Sequence, residues 1–163
     1  MKILVFLHGT AIMHASAIGK TRPQRVQQVM DKDPGVRDFA SYVPTDGAVT
    51  KLHSWAAQGA RILYLSSHRK PVLVDLDKAV LRDHGFPEGE VLHRGASGTY
   101  AQIVEDVMPD VLLEDDCESF GGQKNMAFPH LRPELQARIK SIVVPEFGGL
   151  EHLPDDPLAF GSD

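Results

Sequence analysis

The chain opens with a short apolar run, residues 3–7, which ends at a turn containing Gly9 and Thr10. An unbroken run of this length is typical of a parallel strand that is buried on both faces. Open α/β folds bind their ligands beyond the carboxyl ends of such strands. The turn is therefore expected at the edge of the sheet where a ligand would bind.

Further apolar runs alternate along the chain with segments that have helical spacing. Strands are predicted at residues 61–65, 90–93, 110–114 and 141–144, and helices after Thr21, from about 45 to 58, from Pro71 to 84 and at 100–107. This alternation predicts a three-layer α/β sandwich, with a central parallel Rossmann-like sheet and helices on both faces. Residues 1–163 are expected to form a single domain, with a small cap-like insertion at about 11–44.

The composition of the chain argues against several functional classes. The formal net charge of −5 argues against sequence-independent binding of nucleic acid, which requires a basic surface. Cys117 is the only cysteine, so the chain contains no internal disulfide. The apolar runs are too short to span a membrane. We expect a cytoplasmic protein that does not associate with membranes, and its oligomeric state is left open.

Polar residues follow three of the predicted strands, at positions 8–10, 66–69 and 114–116. The carboxyl ends of parallel strands meet at one edge of a sheet, and neighbouring ends lie about 5 Å apart. These residues are therefore expected to share one pocket although they are distant in sequence.

The order of these motifs resembles that of the haloacid dehalogenase-like (HAD) hydrolase superfamily. Gly9 and Thr10 match the end of the first HAD motif, Asp-x-Asp-Gly-Thr, and Ser66 falls at the second motif. Asp115 and Asp116 fall at the acidic fourth motif. The resemblance covers roughly residues 2–120, and it implies a HAD-like fold, phosphorylated ligands, magnesium and phosphatase activity.

The chain also departs from this pattern. Phe6 stands where the family has its nucleophilic and metal-binding aspartate, and His8 stands where the family has its acid-base aspartate. A phenyl ring can neither attack phosphorus nor bind a metal ion, so we interpret Phe6 as a core side chain. The third-motif lysine has no clear match, and Arg94 is the nearest cation. Catalysis through a phospho-aspartate is therefore not expected.

The remaining polar residues suggest roles that the sequence leaves open. His8 is a candidate acid-base group, or else a hydrogen-bonded loop residue. The candidates for binding phosphate or another anion are Thr10, Ser66, Ser67, Arg69 and Arg94. Asp115 and Asp116 are candidate ligands of Mg²⁺, because adjacent acids repel one another unless a cation or hydrogen-bond donors offset their charge. Their alternative role is to stabilise the amino end of a helix.

We therefore predict a degenerate HAD-like protein that binds a phosphorylated or anionic small molecule without phospho-aspartate chemistry. The alternative is a divergent metal-dependent phosphohydrolase or phosphotransferase that uses His8 as acid-base or nucleophile. A third hypothesis is a structural or partner-binding protein. Whether the chain is an enzyme is left open.

Overall fold

A computed structural model describes residues 1–161 and has an α/β architecture, with a five-stranded parallel sheet flanked by helices. The strands of this sheet are β1 (Lys2–Phe6), β4 (Arg61–Leu65), β5 (Val91–Leu92), β6 (Val111–Asp115) and β7 (Lys140–Val144). A separate antiparallel pair is formed by β2 (Ile12–Met13) and β3 (Val43–Pro44). The helices are α1 (Arg22–Met30), α2 (Ala48–Ala57), α3 (Pro71–Asp83), α4 (Tyr100–Val107) and α5 (Pro133–Gln136).

Strand β1 lies at the centre of the sheet, whose order is β5-β4-β1-β6-β7. It pairs in parallel with β4 and with β6, so that Ile3 lies opposite both Ile62 and Val111. Since all five strands run in parallel, the carboxyl ends of β4, β1 and β6 lie side by side. The predicted convergence of these three strand ends is confirmed.

The side chains of β1 alternate between two parts of the core, as the pleat of a strand requires. Ile3 and Val5 pack in a cluster that includes Trp55 of α2. Leu4 and Phe6 pack in a cluster that includes Val104 of α4. Each face of the central strand is thus covered by helices, which explains why its apolar run is unbroken.

The element boundaries agree closely with the predicted ones, with one consequential shift. Strand β6 begins at Val111 and ends at Asp115, one residue later at each end than the predicted strand. Asp115 is therefore part of the ladder, paired with Val144 of β7. Its backbone position is set by the sheet rather than by a loop.

Side-chain caps begin two of the helices. Thr21 and Gln24 form a capping box at α1, and Thr99 and Gln102 form another at α4. Each box satisfies backbone N–H groups that the first turn of a helix leaves without partners.

The inner face of helix α3 is not formed by apolar side chains alone. Leu73 and Leu76 are only half-buried. Asp77 instead lies in the stripe between Val74 and Val80, with no exposed surface. A buried carboxylate thus faces the end of the sheet from this helix.

The segment at 11–44 contains β2, α1, β3 and short 3₁₀ turns. Its last part approaches the carboxyl edge of the sheet, where the ring of Tyr42 lies 5.5 Å from the ring of His8. Phe39 makes a similar contact with His68, at 4.4 Å between ring centres. This segment covers part of the polar edge with aromatic rings.

Among residues 1–161, no helix combines the length and the apolar character that crossing a membrane requires.

Leu4→Ala tests the central position of β1. Leu4 is fully buried, so its truncation should lower the free energy of unfolding by about 2–5 kcal/mol, through lost burial and a residual cavity. Leu158→Ala is the matched control, because the same atoms are removed from a side chain that is 66 % exposed. Chemical denaturation of both variants measures the difference, and equal losses would contradict a core role for Leu4.

Candidate functional site

The loop that follows β1 passes directly over Asp115. Gly9 has a φ of +87°, and a Cβ added there would lie 2.8 Å from Asp115 Oδ2. Glycine alone meets both conditions, since other residues are strained at this φ and would clash with the carboxylate. The close approach lets the Thr10 hydroxyl donate a 2.9 Å hydrogen bond to the same oxygen.

Three acidic side chains meet at this edge and form what we call the carboxylate cluster: Asp115, Asp116 and Glu146. One carboxylate oxygen from each lies within 4.8 Å of the others. Asp115 and Glu146 are buried, whereas Asp116 is partly exposed. Like charges this close repel strongly, so the cluster needs donors, protons or a cation.

Backbone and hydroxyl groups supply several of these donors. The Cys117 N–H donates to Asp115 Oδ1 at 2.9 Å. Ser119 donates to Glu146 twice, from its backbone N–H and from its hydroxyl, both at 2.7 Å. Arg22 lies 3.7 Å from Asp116 and also pairs with Glu118. Donors therefore offset part of the negative charge.

Burial raises the pKa of two acids in the carboxylate cluster. It raises the pKa of Glu146 to about 7, against the effect of the two Ser119 hydrogen bonds, and the neighbouring aspartates act in the same direction as burial. Burial also raises the pKa of Asp115, although the hydrogen bonds from Cys117 and Thr10 oppose this rise. The cluster thus favours holding a proton when no cation is bound.

The third acid of the predicted run, Glu114, points elsewhere. Its carboxylate accepts hydrogen bonds from the backbone N–H groups of Ala127 and Phe128, at 2.7 and 3.0 Å. Adjacent residues of a strand point to opposite faces of the sheet. Glu114 is therefore a structural acceptor under the 127–128 turn and does not belong to the carboxylate cluster.

A second group of side chains, which we call the histidine cluster, consists of His8, His68 and Asp77. One potential ligand atom from each lies within 4.8 Å of the others. His8 Nε2 lies 3.0 Å from Asp77 Oδ1, and His68 Nε2 lies 3.8 Å from the same oxygen. The Asp77 side chain is fully buried, and that of His8 is 15 % exposed.

The two serines that follow β4 orient this cluster. The Ser66 hydroxyl donates to Asp77 Oδ2 at 2.6 Å, and Ser67 Oγ lies 2.5 Å from His8 Nδ1. The His8 ring thus bridges a hydroxyl and a buried carboxylate. An imidazole held in this way can accept a proton from the hydroxyl.

His68 is enclosed by rings and lacks a partner for one nitrogen. Its ring centre lies 4.7 Å from that of His8 and 4.4 Å from that of Phe39. Within residues 1–161, its buried Nε2 has no hydrogen-bond partner. Burial lowers the pKa of His68, as does the neighbouring His8, while Asp77 acts in the opposite direction. The neutral imidazole is therefore favoured.

The two arginines predicted to bind an anion are engaged with backbone carbonyls. Arg69 donates to three carbonyl groups of the loop 95–98, at 3.1 to 3.2 Å. Arg94 donates to the Ser67 carbonyl at 2.9 Å, and its guanidinium carbon lies 3.9 Å from the centre of the Tyr100 ring. These contacts hold the loop against the strand ends and leave less of each guanidinium for a ligand.

Phe6 packs as a core side chain. Its ring lies edge-on to Tyr100, with 5.0 Å between ring centres, and the residue is 9 % exposed. The side chain at this position carries no oxygen that could contribute to the carboxylate cluster.

The structure therefore divides the predicted site residues between two clusters. Thr10 joins Asp115 and Asp116, whereas Ser66 and Ser67 join His8.

Asp77 and Glu146 complete these clusters, although no sequence motif singles them out. The available signal for Asp77 is a carboxylate at helical spacing between two apolar positions of one stripe. The signal for Glu146 is its place two residues beyond the end of β7, at the same edge of the sheet.

The carboxylate cluster offers only oxygen ligands, which suit Mg²⁺. The donors already bound to Asp115 and Glu146 leave free lone pairs, because each carboxylate oxygen can accept more than one bond. The residues present therefore fit the chemistry of a hard divalent cation, with Glu146 as an additional ligand and nothing contributed by Phe6.

No protein-family model matches this chain, and no curated protein sequence matches it significantly.

Glu146→Gln tests the electrostatics of the carboxylate cluster. Glu146 has a higher pKa in the folded protein, about 7, than its ordinary value of 4.5, so folding takes up a proton between these values. Its contribution to stability is therefore present at low pH and is lost as the pH rises through 7. The amide of the variant cannot ionise, so between about pH 5 and pH 8 the variant should gain up to about 3 kcal/mol relative to the wild type.

Chemical denaturation in a buffer containing a chelator measures this difference at each pH. Glu90→Gln is the control, since it removes the same charge from an exposed position. A difference between Glu146→Gln and the wild type that does not change with pH would contradict the raised pKa.

Proposed function

We propose that this protein is a HAD-like member of the α/β class that binds a phosphorylated or anionic small molecule and does not use phospho-aspartate catalysis. The observation that carries the proposal is the arrangement of three adjacent strand ends. Thr10, Ser66 and Asp115 follow or end neighbouring strands in the order that the HAD resemblance requires. The nucleophile position of that family is meanwhile occupied by the buried ring of Phe6.

The proposal includes Mg²⁺ as the partner of the anion. Both arginines at the edge already donate hydrogen bonds to backbone carbonyls, so fewer of their N–H groups are available to a ligand. Asp115, Asp116 and Glu146 would hold the cation. When bound, Mg²⁺ would supply positive charge and would accept phosphate oxygens as ligands. Thr10 would orient Asp115 through its hydroxyl.

A phosphate monoester should stabilise the protein only when Mg²⁺ is present. A ligand that binds the native state alone raises the melting temperature, and a ligand concentration 100 times its Kd adds about 2.7 kcal/mol. The measurement is a thermal-shift assay with a panel of small phosphate esters, with and without Mg²⁺. Asp115→Asn should abolish the shift, because it removes a charge from the carboxylate cluster.

Asp75→Asn is the matched control, since Asp75 is exposed on α3 and pairs only with Lys78 among the ion pairs of residues 1–161. Steady hydrolysis of a phosphate monoester that depends on Asp115 would overturn the non-catalytic part of the proposal. A shift that is equal without Mg²⁺ would overturn the role of the cation.

A second candidate function is a hydrolase or phosphotransferase that uses His8 as its acid-base group. The observation that favours it is the hydrogen-bonded series Ser67, His8 and Asp77, in which the carboxylate is fully buried. In such a reaction the Ser67 oxygen would attack the substrate while its proton passes to His8 Nδ1. His8 would then return the proton to the leaving group, and Asp77 would stabilise the imidazolium.

This candidate predicts that Ser67→Ala and His8→Ala each lower turnover of an activated ester or phosphoester by at least about a hundredfold. Ser97→Ala is the control, because Ser97 is an exposed serine in the loop 95–98. The assay requires a substrate that the wild-type protein turns over. Turnover that His8→Ala leaves unchanged would exclude His8 from the mechanism.

A further inference from the structure

We propose that the histidine cluster is a binding site for a divalent transition-metal ion of the zinc type. His8, His68 and Asp77 offer two imidazole nitrogens and a carboxylate oxygen at one point. This donor set suits zinc and the neighbouring first-row metals, whereas Mg²⁺ prefers oxygen ligands alone. The site is distinct from the carboxylate cluster and does not depend on the function proposed above.

The distances in the cluster are close to those of a metal centre. Bonds of about 2.0 to 2.1 Å in a tetrahedral zinc site place neighbouring ligand atoms about 3.3 Å apart. Asp77 Oδ1 lies 3.0 Å from His8 Nε2 and 3.8 Å from His68 Nε2, on either side of that value. One ligand atom of each of the three residues lies within 4.8 Å of the other two.

The unpartnered nitrogen of His68 is the independent observation that points to a ligand. The His68 side chain is about nine-tenths buried, and its Nε2 has no hydrogen-bond partner within residues 1–161. A separation of 3.8 Å from Asp77 Oδ1 is too long for a hydrogen bond. Burying a polar atom without a partner is costly, and an ion between this nitrogen and Asp77 would remove that cost.

The surrounding hydrogen bonds present the correct atoms to an ion. The Ser66 hydroxyl donates a hydrogen bond to Asp77 Oδ2. The other carboxylate oxygen, Oδ1, is the one that faces the two histidines. Ser67 Oγ lies against His8 Nδ1 and can accept a hydrogen bond from its N–H, so that Nε2 keeps a free lone pair. Metal-binding histidines and carboxylates are usually held by such outer contacts, which fix the tautomer and the orientation of each ligand.

The cluster itself supplies three ligands. Three protein ligands are one fewer than a closed tetrahedral zinc site contains, so a water molecule or a substrate atom would complete the coordination. Tyr42 does not fill this position, because its hydroxyl donates to the Val36 carbonyl. The side chain of His8 remains 15 % exposed, which gives solvent a path to the ion.

Metal binding and acid-base catalysis use His8 in incompatible ways. An ion at Nε2 requires the tautomer that carries its proton on Nδ1, so His8 could not accept the proton of Ser67. The two uses of the same hydrogen-bonded series are therefore separable by experiment.

Titration of the chelator-treated, full-length protein with Co²⁺ tests the site without reference to activity. We expect visible absorption bands typical of nitrogen and oxygen ligation, one Co²⁺ per chain, and displacement of Co²⁺ by Zn²⁺ but not by millimolar Mg²⁺. His68→Phe should weaken binding at least about tenfold while it keeps an aromatic ring in contact with His8 and Phe39. Asp77→Asn is a second variant that should weaken binding by a similar factor, in case His68→Phe folds poorly.

His152→Ala is the matched control, because His152 is an exposed histidine outside the cluster. Co²⁺ binding that His68→Phe and Asp77→Asn leave unchanged would overturn the proposal, and so would the absence of any saturable absorption band. This titration uses Co²⁺ and Zn²⁺ and contains no phosphate. Its failure can therefore be told apart from a failure of Mg²⁺-dependent anion binding at the carboxylate cluster.

Discussion

The burial of β1 between β4 and β6 is the constraint that holds the polar edge of this protein together. A strand that is hydrogen-bonded on both sides and packed on both faces cannot shift its register without disrupting the packing of its apolar side chains. The loop after β1 is therefore held beside the ends of its two neighbours. Polar side chains gathered at such a buried edge must find partners there, since burying them without hydrogen bonds is unfavourable.

Alternation along the strands then separates these polar groups into two kinds of surroundings. Glu114 turns to a backbone turn, and the next residue, Asp115, turns to the loop at Gly9 and Thr10. The carboxylate cluster offers only oxygen atoms as ligands, whereas the histidine cluster contains two imidazoles. Clusters of such different chemistry select different partners: hard cations favour the first, and borderline metals or protons favour the second.

The distribution of positive charge limits what the edge can bind unaided. Arg69 and Arg94 hold the loop 95–98 and the strand end at Ser67 in place, and Arg22 pairs with acids beside the carboxylate cluster. Fewer arginine N–H groups are therefore left for a ligand. The Mg²⁺ proposed at the carboxylate cluster would add positive charge for an anion, which makes cation binding the central question for the first functional proposal.

Local signals along the chain were enough to predict the architecture and much of the candidate site, because burial and capping leave their mark on neighbouring residues. Apolar runs, helical spacing and the turn at Gly9 and Thr10 predicted the strands, four of the helices and the convergence of three strand ends. The same signals placed Phe6 in the core. Which polar groups meet, in contrast, required the fold: the packing of α3 brings Asp77 to His8, 69 residues away in sequence. Likewise, Glu146 reaches Asp115 because β7 pairs with β6. A local pattern records that a position is buried, whereas the partner of a buried charge is set by contacts between distant segments.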